Sequence, residues 1–595
     1  MTSSKNLIPI VILIVIGFFV YAFNLNNQLF WDDDEWIRGN VFVHNFSYLK
    51  EIFTQNVEAG FGLNSNYYRP ILLLSFVFNY VFGAENPFGY HLLSNGIHIV
   101  NGVLIFVLLA KFLSQRASFI AALLFLIHPA QTEAVTYISG RGDPMSVFFM
   151  LLALAFYLKS RSDLNLPKGG PWDLVEIFKT RNIFLGLSFI SMILAILSRE
   201  TAILFPLLLM TFYISFLPRE KFIEALKKSF IISIPFWIVS IIYFFLRLTV
   251  FNFQNTLNFF KQSTPYSENL SFRLFTFGSA LIEYFRILFV PTGLHMERSL
   301  LVNTSFFQWP VWFGAILVFI VLYVVFINLR TFKLLNSRVL FFSWAWFFVA
   351  LAPVSGIIPI NAIIYEHWLY LPIIGFATLA GFYIDKFLDF LKIKKTGYLL
   401  LVVSLVIYFS FFAVQSIKRN ILWGNPIEFY EDILRYNSSS VRILTNLGNL
   451  YSKRGDLAKA EKLFIQAVES PHENIFAEPH YNLANLYRDR GKIDEAIGEY
   501  KKAIETDPSF PFAYQNLATV YVNNKQDLVE GAKVLEQLKL IQPGNPRVYY
   551  NLGLIYLAMN NRESAIENLE TGLEIAAGRD AEVQQAISEI LNRIK

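Results

Sequence analysis

Residues 7–36 read LIPIVILIVIGFFVYAFNLNNQLFWDDDEW. No charge interrupts Leu7 to Phe23, a run long enough to cross most of a hydrocarbon layer ~30 Å thick as a helix. Four acids, Asp32, Asp33, Asp34 and Glu35, then follow between Trp31 and Trp36. Trp is favoured at the membrane–water boundary, so the stretch describes an apolar span that delivers an acidic segment to an interface. Lys5 before it could serve the n-region of a signal peptide. No small-x-small cleavage site follows, and the segment is expected to remain as an anchor.

Outward from this span the same pattern recurs as far as Gln415. Hydrophobic residues make up 55% of the 595-residue chain and charged residues 16%, with a mean hydropathy of +0.45. A soluble globule of this composition could not cover its surface, and disorder is excluded for the same reason. Spans are expected near 7–24, 89–112, 116–132, 144–159, 182–198, 201–217, 229–250, 311–329, 337–352, 368–385 and 398–416, about 11 in all. The segment 271–290 is apolar but carries Arg273, Glu283 and Arg286, and reads as an interfacial or re-entrant helix. Every second loop is basic (110–116, 159–181, 219–228, 330–338 and 386–395), which puts the N-terminus in the cytoplasm and the C-terminal part outside it. Lys418 and Arg419 fall on the wrong side of that rule. The net charge of +5 and the lack of a basic, aromatic-interleaved patch argue against nucleic acid. With Cys absent, disulfides, thiolate catalysis and Cys-bound metal are excluded.

From about Asn425 the chain turns polar and repetitive. NLGNLY at 446–451 returns as NLANLY at 482–487, NLATVY at 516–521 and NLGLIY at 551–556, at offsets of 36, 34 and 35 residues. That period, with a small residue after Leu and a Tyr three positions later, is the tetratricopeptide signature. The third copy departs from it at Gly531, where Ala is usual. The expected class is all-α: a polytopic membrane domain (1–420), a linker (421–440), about four tetratricopeptide repeats (441–579) and a capping helix (580–595). Such repeats bind partners of every kind, a protein or peptide among them, while the lipid bilayer surrounds the rest.

Ionisable groups beside membrane segments are costly and invite a functional reading. Asp32 and Asp33 are candidate general bases. Asp33 and Asp34 could hold a divalent cation (Mg or Mn) that offsets the clustered charge. A solvated acidic loop beside an aromatic belt is the plainer alternative. The topology puts Arg69, His128, Glu133, Arg141, Asp143, Arg199, Glu200, Glu366 and His367 on the same outer side. Taken singly, each is as well explained by a cap or a satisfied ion pair. Together they suit a phosphate leaving group and a hydroxyl nucleophile, since Arg binds phosphate oxygens bidentately and a carboxylate takes the proton. No nucleotide-binding or zinc-protease motif occurs, so energy must come from an activated substrate or a gradient.

Several blocks carry a resemblance: Asp32-Asp33 with Ile37 and Asn40, Tyr68-Arg69-Pro70, His128-Pro129 with Thr132-Glu133-Ala134-Val135, Gly140-Arg141 with Asp143, Arg199-Glu200, and Glu366 with Leu369-Tyr370-Leu371-Pro372. With the repeats behind them, they resemble the transmembrane and tetratricopeptide repeat-containing O-mannosyltransferases, of the GT-C class. Arg199 stands for that family's Lys, and His367 replaces its usual Arg. The resemblance implies inverting transfer of a sugar, mannose favoured, from a polyprenyl-phosphate donor to a Ser or Thr hydroxyl on the extracytoplasmic face, with an outer-loop carboxylate as base. The lack of Cys and of a retention signal leans toward a bacterial inner membrane. Two rivals stay open: a non-catalytic envelope assembly or docking factor, and a transporter or polymerase of lipid-linked polysaccharide.

Overall fold

The computed structural model describes residues 4–63, 65–161, 181–217, 222–251, 265–298, 300–329, 334–360, 362–392, 395–470, 476–577 and 580–594. Much of the basic loops at 159–181, 219–228 and 330–338 lies outside these residues. Every regular element among the described residues is helical, and the chain divides into two compact units, Met1–Phe429 and Tyr430–Lys595.

In the first unit the principal helices are α1 (Ser4–Tyr21), α2 (Leu49–Thr54), α3 (Pro70–Gly83), α4 (Pro87–Leu109), α5 (Gln115–Ile127), α6 (Thr132–Thr136), α7 (Gly142–Ser160), α8 (Arg181–Ser198), α9 (Phe205–Phe216), α10 (Phe222–Leu248), α11 (Pro265–Glu268), α12 (Leu270–Phe289), α13 (Trp309–Leu329), α14 (Leu335–Leu351), α15 (Ile373–Leu391) and α16 (Lys395–Leu422). Local chemistry sets their starts. Pro70 and Pro87 occupy the first turn of α3 and α4, where a missing N–H costs nothing. Asn86, Ser114 and Asn269 cap α4, α5 and α12 through side-chain oxygens.

Seven helices among the described residues are long and apolar enough to cross a membrane. An eighth is added if Gln115–Ile127 and Pro129–Thr136, bent by 52°, form one broken span. The expectation of about 11 counted three more. Asn182–Ser198 and Glu200–Phe216 are apolar but short, and α15 carries Asp385, Lys386 and Asp389 in its last turns. The membrane part is thus an integral bundle with several interrupted helices, breaks of the kind a membrane protein tolerates where backbone is buried in protein. Helices α4 and α7 form the middle, their spans 67% and 72% buried, whereas α13 and α16 are mostly exposed and apolar, as lipid-facing helices are.

Neutral polar groups knit the ends of α1, α6 and α16 to α4. Asn24 and Asn95 exchange side-chain hydrogen bonds at 3.0 and 2.8 Å, Asn24 also donates to Thr136 Oγ1 at 3.0 Å, and Thr136 donates to Asn420 Oδ1. Close helix approach rests on glycine. A Cβ on Gly381 would fall 2.4 Å from the carbonyl oxygen of Ala117, so α15 lies against the backbone of α5. At the far end of the same pair, Asp385 receives Ser114 Oγ at 2.6 Å and the Arg116 guanidinium.

The second unit contains four helix pairs: Val441–Lys453 with Leu457–Val468, Glu478–Asp489 with Ile493–Thr506, Pro511–Asn523 with Leu528–Ile541, and Pro546–Ala558 with Arg562–Ala576. Ala581–Ile594 packs Val583, Ile587 and Leu591 onto the last pair. Most of 421–440 is itself helical, through the end of α16 and Pro426–Tyr436. The irregular Gly531 has a packing reason: a Cβ there would meet Val522 at 2.6 Å.

Replacing Gly381 by Ala is expected to cost about 1–3 kcal/mol by overpacking and to lower the melting temperature in detergent. Gly186→Ala, with nothing within 4 Å of its Cβ inside α8, should not lower it, since Ala is the better helix former. Equal melting of the two variants would refute the close-packing account.

Candidate active site

Short turns join the helices at one end of the bundle, where α1, α5, α8, α14 and α16 finish and α4, α7, α9 and α15 begin. The singled-out ionisable residues gather on these turns.

The acid run leaves α1 through Trp31, whose φ of 64° is rare for a bulky residue, and continues as a π-helical turn over Asp34–Arg38. The adjacent carboxyls therefore diverge. Asp33 is buried and accepts Ser139 Oγ at 2.6 Å, Ser139 N–H at 2.9 Å and Phe30 N–H at 3.3 Å. Burial pushes its carboxyl up to about 7, against the three donors that favour the charged form. Asp34 turns to Arg38 at 2.5 Å. Asp32 is half-buried, and its charge acts on Glu58 and Tyr67.

Two buried ion pairs come next. Arg69, at the start of α3, holds Glu200 through Nε at 3.0 Å, with its guanidinium 4.4 Å from the centre of the Tyr67 ring. Arg199 holds Asp143 at 2.6 Å. Gly142 permits the second pair: a Cβ there would lie 3.1 Å from the Ser198 carbonyl oxygen, so the start of α7 can sit against the backbone just before Arg199. Electrostatic contact between Asp143 and His367, Arg69 and Glu133 joins these pairs to a third group.

That group centres on Glu133 and Glu366, both fully buried. Glu133 accepts His367 Nδ1 at 2.5 Å and the Glu366 N–H at 3.1 Å. The Glu366 carboxylate accepts Arg298 at 2.8 Å, Arg419 at 3.2 Å and the His295 N–H at 2.7 Å. Arg298 also binds Glu283, which Arg286 holds from the other side.

Two predicted residues have other surroundings. Arg141 is fully buried and donates to Ser94 Oγ at 2.9 Å, Ser75 Oγ at 2.9 Å, Asn79 Oδ1 at 2.8 Å and Tyr90 O at 2.9 Å, which ties α3 to α4. His128 caps the following turn through Nδ1 and binds Leu288 O through Nε2 at 3.1 Å. Sequence reading missed Glu58, Arg298 and the role of Arg419. Only Arg419 carried a signal, as a cation out of place under the positive-inside rule.

The residues present do not fit a resident cation at Asp33 and Asp34. One carboxylate is taken by Ser139 and Phe30, the other by Arg38, and among the described residues no group of three or more His, Cys, Asp or Glu is gathered that could hold a metal ion.

Fold and rim together define an integral membrane protein with paired carboxylates and guanidiniums at one end and a tetratricopeptide solenoid as a second unit. The solenoid matches family models described as TPR repeat over residues 484–525 and as tetratricopeptide repeat over 441–480 and 546–578. Over 92% of its length the chain is 25% identical to "Protein O-mannosyl-transferase TMTC3" of Mus musculus, and 24% identical to the protein of that name in Homo sapiens. It covers 62% of the length of each of these relatives. The crystal structure of MamA aligns with 26% of the chain and 88% of its own, at 24% identity and a TM-score of 0.24.

Removing one partner of a buried ion pair leaves a charge uncompensated. Arg419→Met is therefore expected to cost on the order of 3 kcal/mol of stability, measured by unfolding in detergent. The double variant Glu366→Gln with Arg419→Met should recover part of that loss through coupling. Strict additivity would mean the two side chains do not work as a unit.

Proposed function

We propose that the chain is a membrane glycosyltransferase that moves a sugar, mannose favoured, from a polyprenyl-phosphate donor to a protein Ser or Thr hydroxyl on the extracytoplasmic face of a bacterial inner membrane. The observation that carries this reading is the convergence of the motif residues on one rim, in a chain similar over 92% of its length to proteins named O-mannosyl-transferases.

The chemistry follows from the placement of charge. Asp32 is the better base, because Asp33 spends its carboxyl on Ser139 and Phe30. Asp32 takes the acceptor proton as the hydroxyl oxygen attacks the sugar C1 from the face opposite the phosphate. The C1–O bond to the phosphate breaks, and its electron pair leaves with the polyprenyl phosphate. Arg69 engages Glu200 through Nε and Arg199 engages Asp143 through one terminal nitrogen, so both guanidiniums keep donors for phosphate oxygens. His367, anchored at Nδ1 by Glu133, presents Nε2 where the family has Arg. Arg141 and His128 hold the scaffold, and the apolar surroundings strengthen each of these interactions over its value in water. The repeats hold the acceptor.

The test is sugar transfer by the purified protein in detergent, from radiolabelled polyprenyl-phosphate sugars to pooled envelope proteins. Asp32→Asn should keep the wild-type melting temperature and lose ~10²–10⁴-fold in rate, the usual contribution of a general base. Asp33→Asn should show mainly as lost stability. Transfer unaffected by Asp32→Asn would move the base elsewhere. Absence of transfer from every donor, with the repeats still capturing envelope proteins, would favour the docking factor.

A further inference from the structure

Helix α4 carries two polar side chains that belong to none of the motifs. His98 and Asn101 lie one helical turn apart and are fully buried. Both close on one oxygen, the Tyr370 hydroxyl, His98 through Nδ1 at 2.8 Å and Asn101 through Nδ2 at 3.1 Å. Each also holds a backbone carbonyl: His98 Nε2 donates to Leu126 O at 3.1 Å, and Asn101 Nδ2 donates to Pro144 O at 2.9 Å. A carbonyl can only accept, so Nε2 carries the ring proton, and the Tyr370 hydroxyl donates to Nδ1. The Asn101 amide gives that hydroxyl oxygen its second bond.

The partners belong to three of the turns on which the motif residues stand. Leu126 lies at the end of α5, just before the turn of His128 and Glu133. Pro144 follows Asp143 in the first turn of α7. Tyr370 comes three residues after His367, and its N–H donates to His367 O at 3.0 Å. One turn of α4 is thus bonded to all three, and Trp346 Nε1 of α14 fixes the adjoining Leu371 carbonyl at 3.0 Å. Packing alone does not explain these residue types. The Tyr21 and Phe125 rings lie against His98, at 4.9 and 5.2 Å between centres, where an apolar side chain would suit as well. Asn101 leaves its Oδ1 buried and without a hydrogen-bond partner among the described residues, a cost that no packing role requires. Turning the amide over would set Oδ1 against the Pro144 carbonyl. Its orientation therefore serves the two oxygens it holds.

We propose that His98 and Asn101 are positioning residues that set His367 and Asp143 at one spacing, acting through the Tyr370 hydroxyl and the Pro144 carbonyl. Hydrogen bonds are directional, so they fix the rotation of each turn as well as its distance from α4. The groups so spaced are the His367 imidazole, held at Nδ1 by Glu133, and the Arg199 guanidinium, held by Asp143. A phosphate that meets both tolerates a misplacement of only about 0.5 Å. His98 and Asn101 act from behind these groups, and their catalytic consequence rests on the transferase reading above.

Two measurements on the intact protein in detergent separate the positioning from the transferase reading. The first needs no substrate: the imidazole nitrogen resonances of histidine-labelled protein, with His367 assigned by its loss in His367→Gln. Tyr370→Phe keeps the ring and removes only the hydroxyl, whose bonds go to His98 and Asn101. It should displace the resonances of His98 and also those of His367. Asn101→Leu, similar in shape but without donors, should displace His367 by less. Thr378→Val removes an equally buried hydroxyl of α15, bonded to Ile374 O at 2.7 Å, and should leave His367 in place. A His367 signal unmoved by both Tyr370→Phe and Asn101→Leu, or moved as far by Thr378→Val, overturns the proposal. The second measurement is transfer. Tyr370→Phe should lower kcat ~10²-fold, the scale of a ~1 Å misplacement made at a distance from the chemistry, with the acceptor KM unchanged. A wild-type kcat in Tyr370→Phe, or an equal fall in Thr378→Val, overturns the proposal. The expected displacement of His367 in a protein that transfers no sugar would uphold the positioning and refute the transferase reading alone.

Discussion

A buried carboxylate needs partners, and the demands of Glu366 organise the rim. Its charge lies wholly inside the protein, where an unpaired ion costs several kcal/mol. The two guanidiniums that compensate it come from positions 298 and 419, and a backbone N–H at 295 completes the set. Meeting this one need docks the end of α16 and the segment after α12 onto the turn that opens α15. The turn's own N–H then holds Glu133, and Glu133 holds His367. A chain of obligatory pairings thus passes from two remote segments through Glu366 and Glu133 to the His367 imidazole.

The rim uses two chemistries side by side. Asn24, Asn95, Thr136 and Asn420 satisfy one another and the backbone of Val20 and Tyr21. Amides cost far less to bury than ions when hydrogen-bonded, and they specify which helices meet without adding a charge. Asn420 is the neighbour of Arg419 and Thr136 lies three positions after Glu133, so the neutral net and the ion pairs share the same turns. Around Arg141 every named contact is a hydroxyl, an amide or a carbonyl, and the aromatic faces of Phe76 and Tyr90 flank it.

Much of this was legible in the residues because the signals were periodic or chemically extreme. The repeats declared themselves through Asn-Leu-x-x-x-Tyr at a fixed spacing, and the helix pairs follow that register. Apolar runs located the spans. Hydropathy does not see a helix break, so the 52° bend at His128-Pro129 between Gln115–Ile127 and Pro129–Thr136 left no mark in the apolar pattern. Arg419 looked anomalous because the positive-inside rule scores a charge by its loop, whereas its partner Glu366 lies 53 positions away in sequence. Glu58 left no trace at all, since its loop has no period and its neighbours come from both sides of it.

The different surroundings of Asp32 and Asp33 were illegible for a different reason. Adjacent acids are chemically equivalent in a sequence, and only backbone geometry separates them. The separation is made at Trp31. A positive φ at a bulky residue costs about 1–3 kcal/mol and persists only where the surroundings over-determine it. Here the Trp31 ring packs near Tyr137 and Phe429, at 6.5 and 6.1 Å between centres, and the Phe30 N–H with the N–H and hydroxyl of Ser139 converge on Asp33. The π-turn that follows adds a residue to the helical turn and seats Trp36, buried, against Glu58. The strain at one residue therefore has two products: an inward carboxyl that fastens the turn to Ser139, and a neighbouring one left half-exposed toward Glu58 and Tyr67. Relaxing Trp31 to an ordinary helical φ would return the two acids to consecutive positions on one helix and erase the difference between the buried fastener and its half-exposed neighbour.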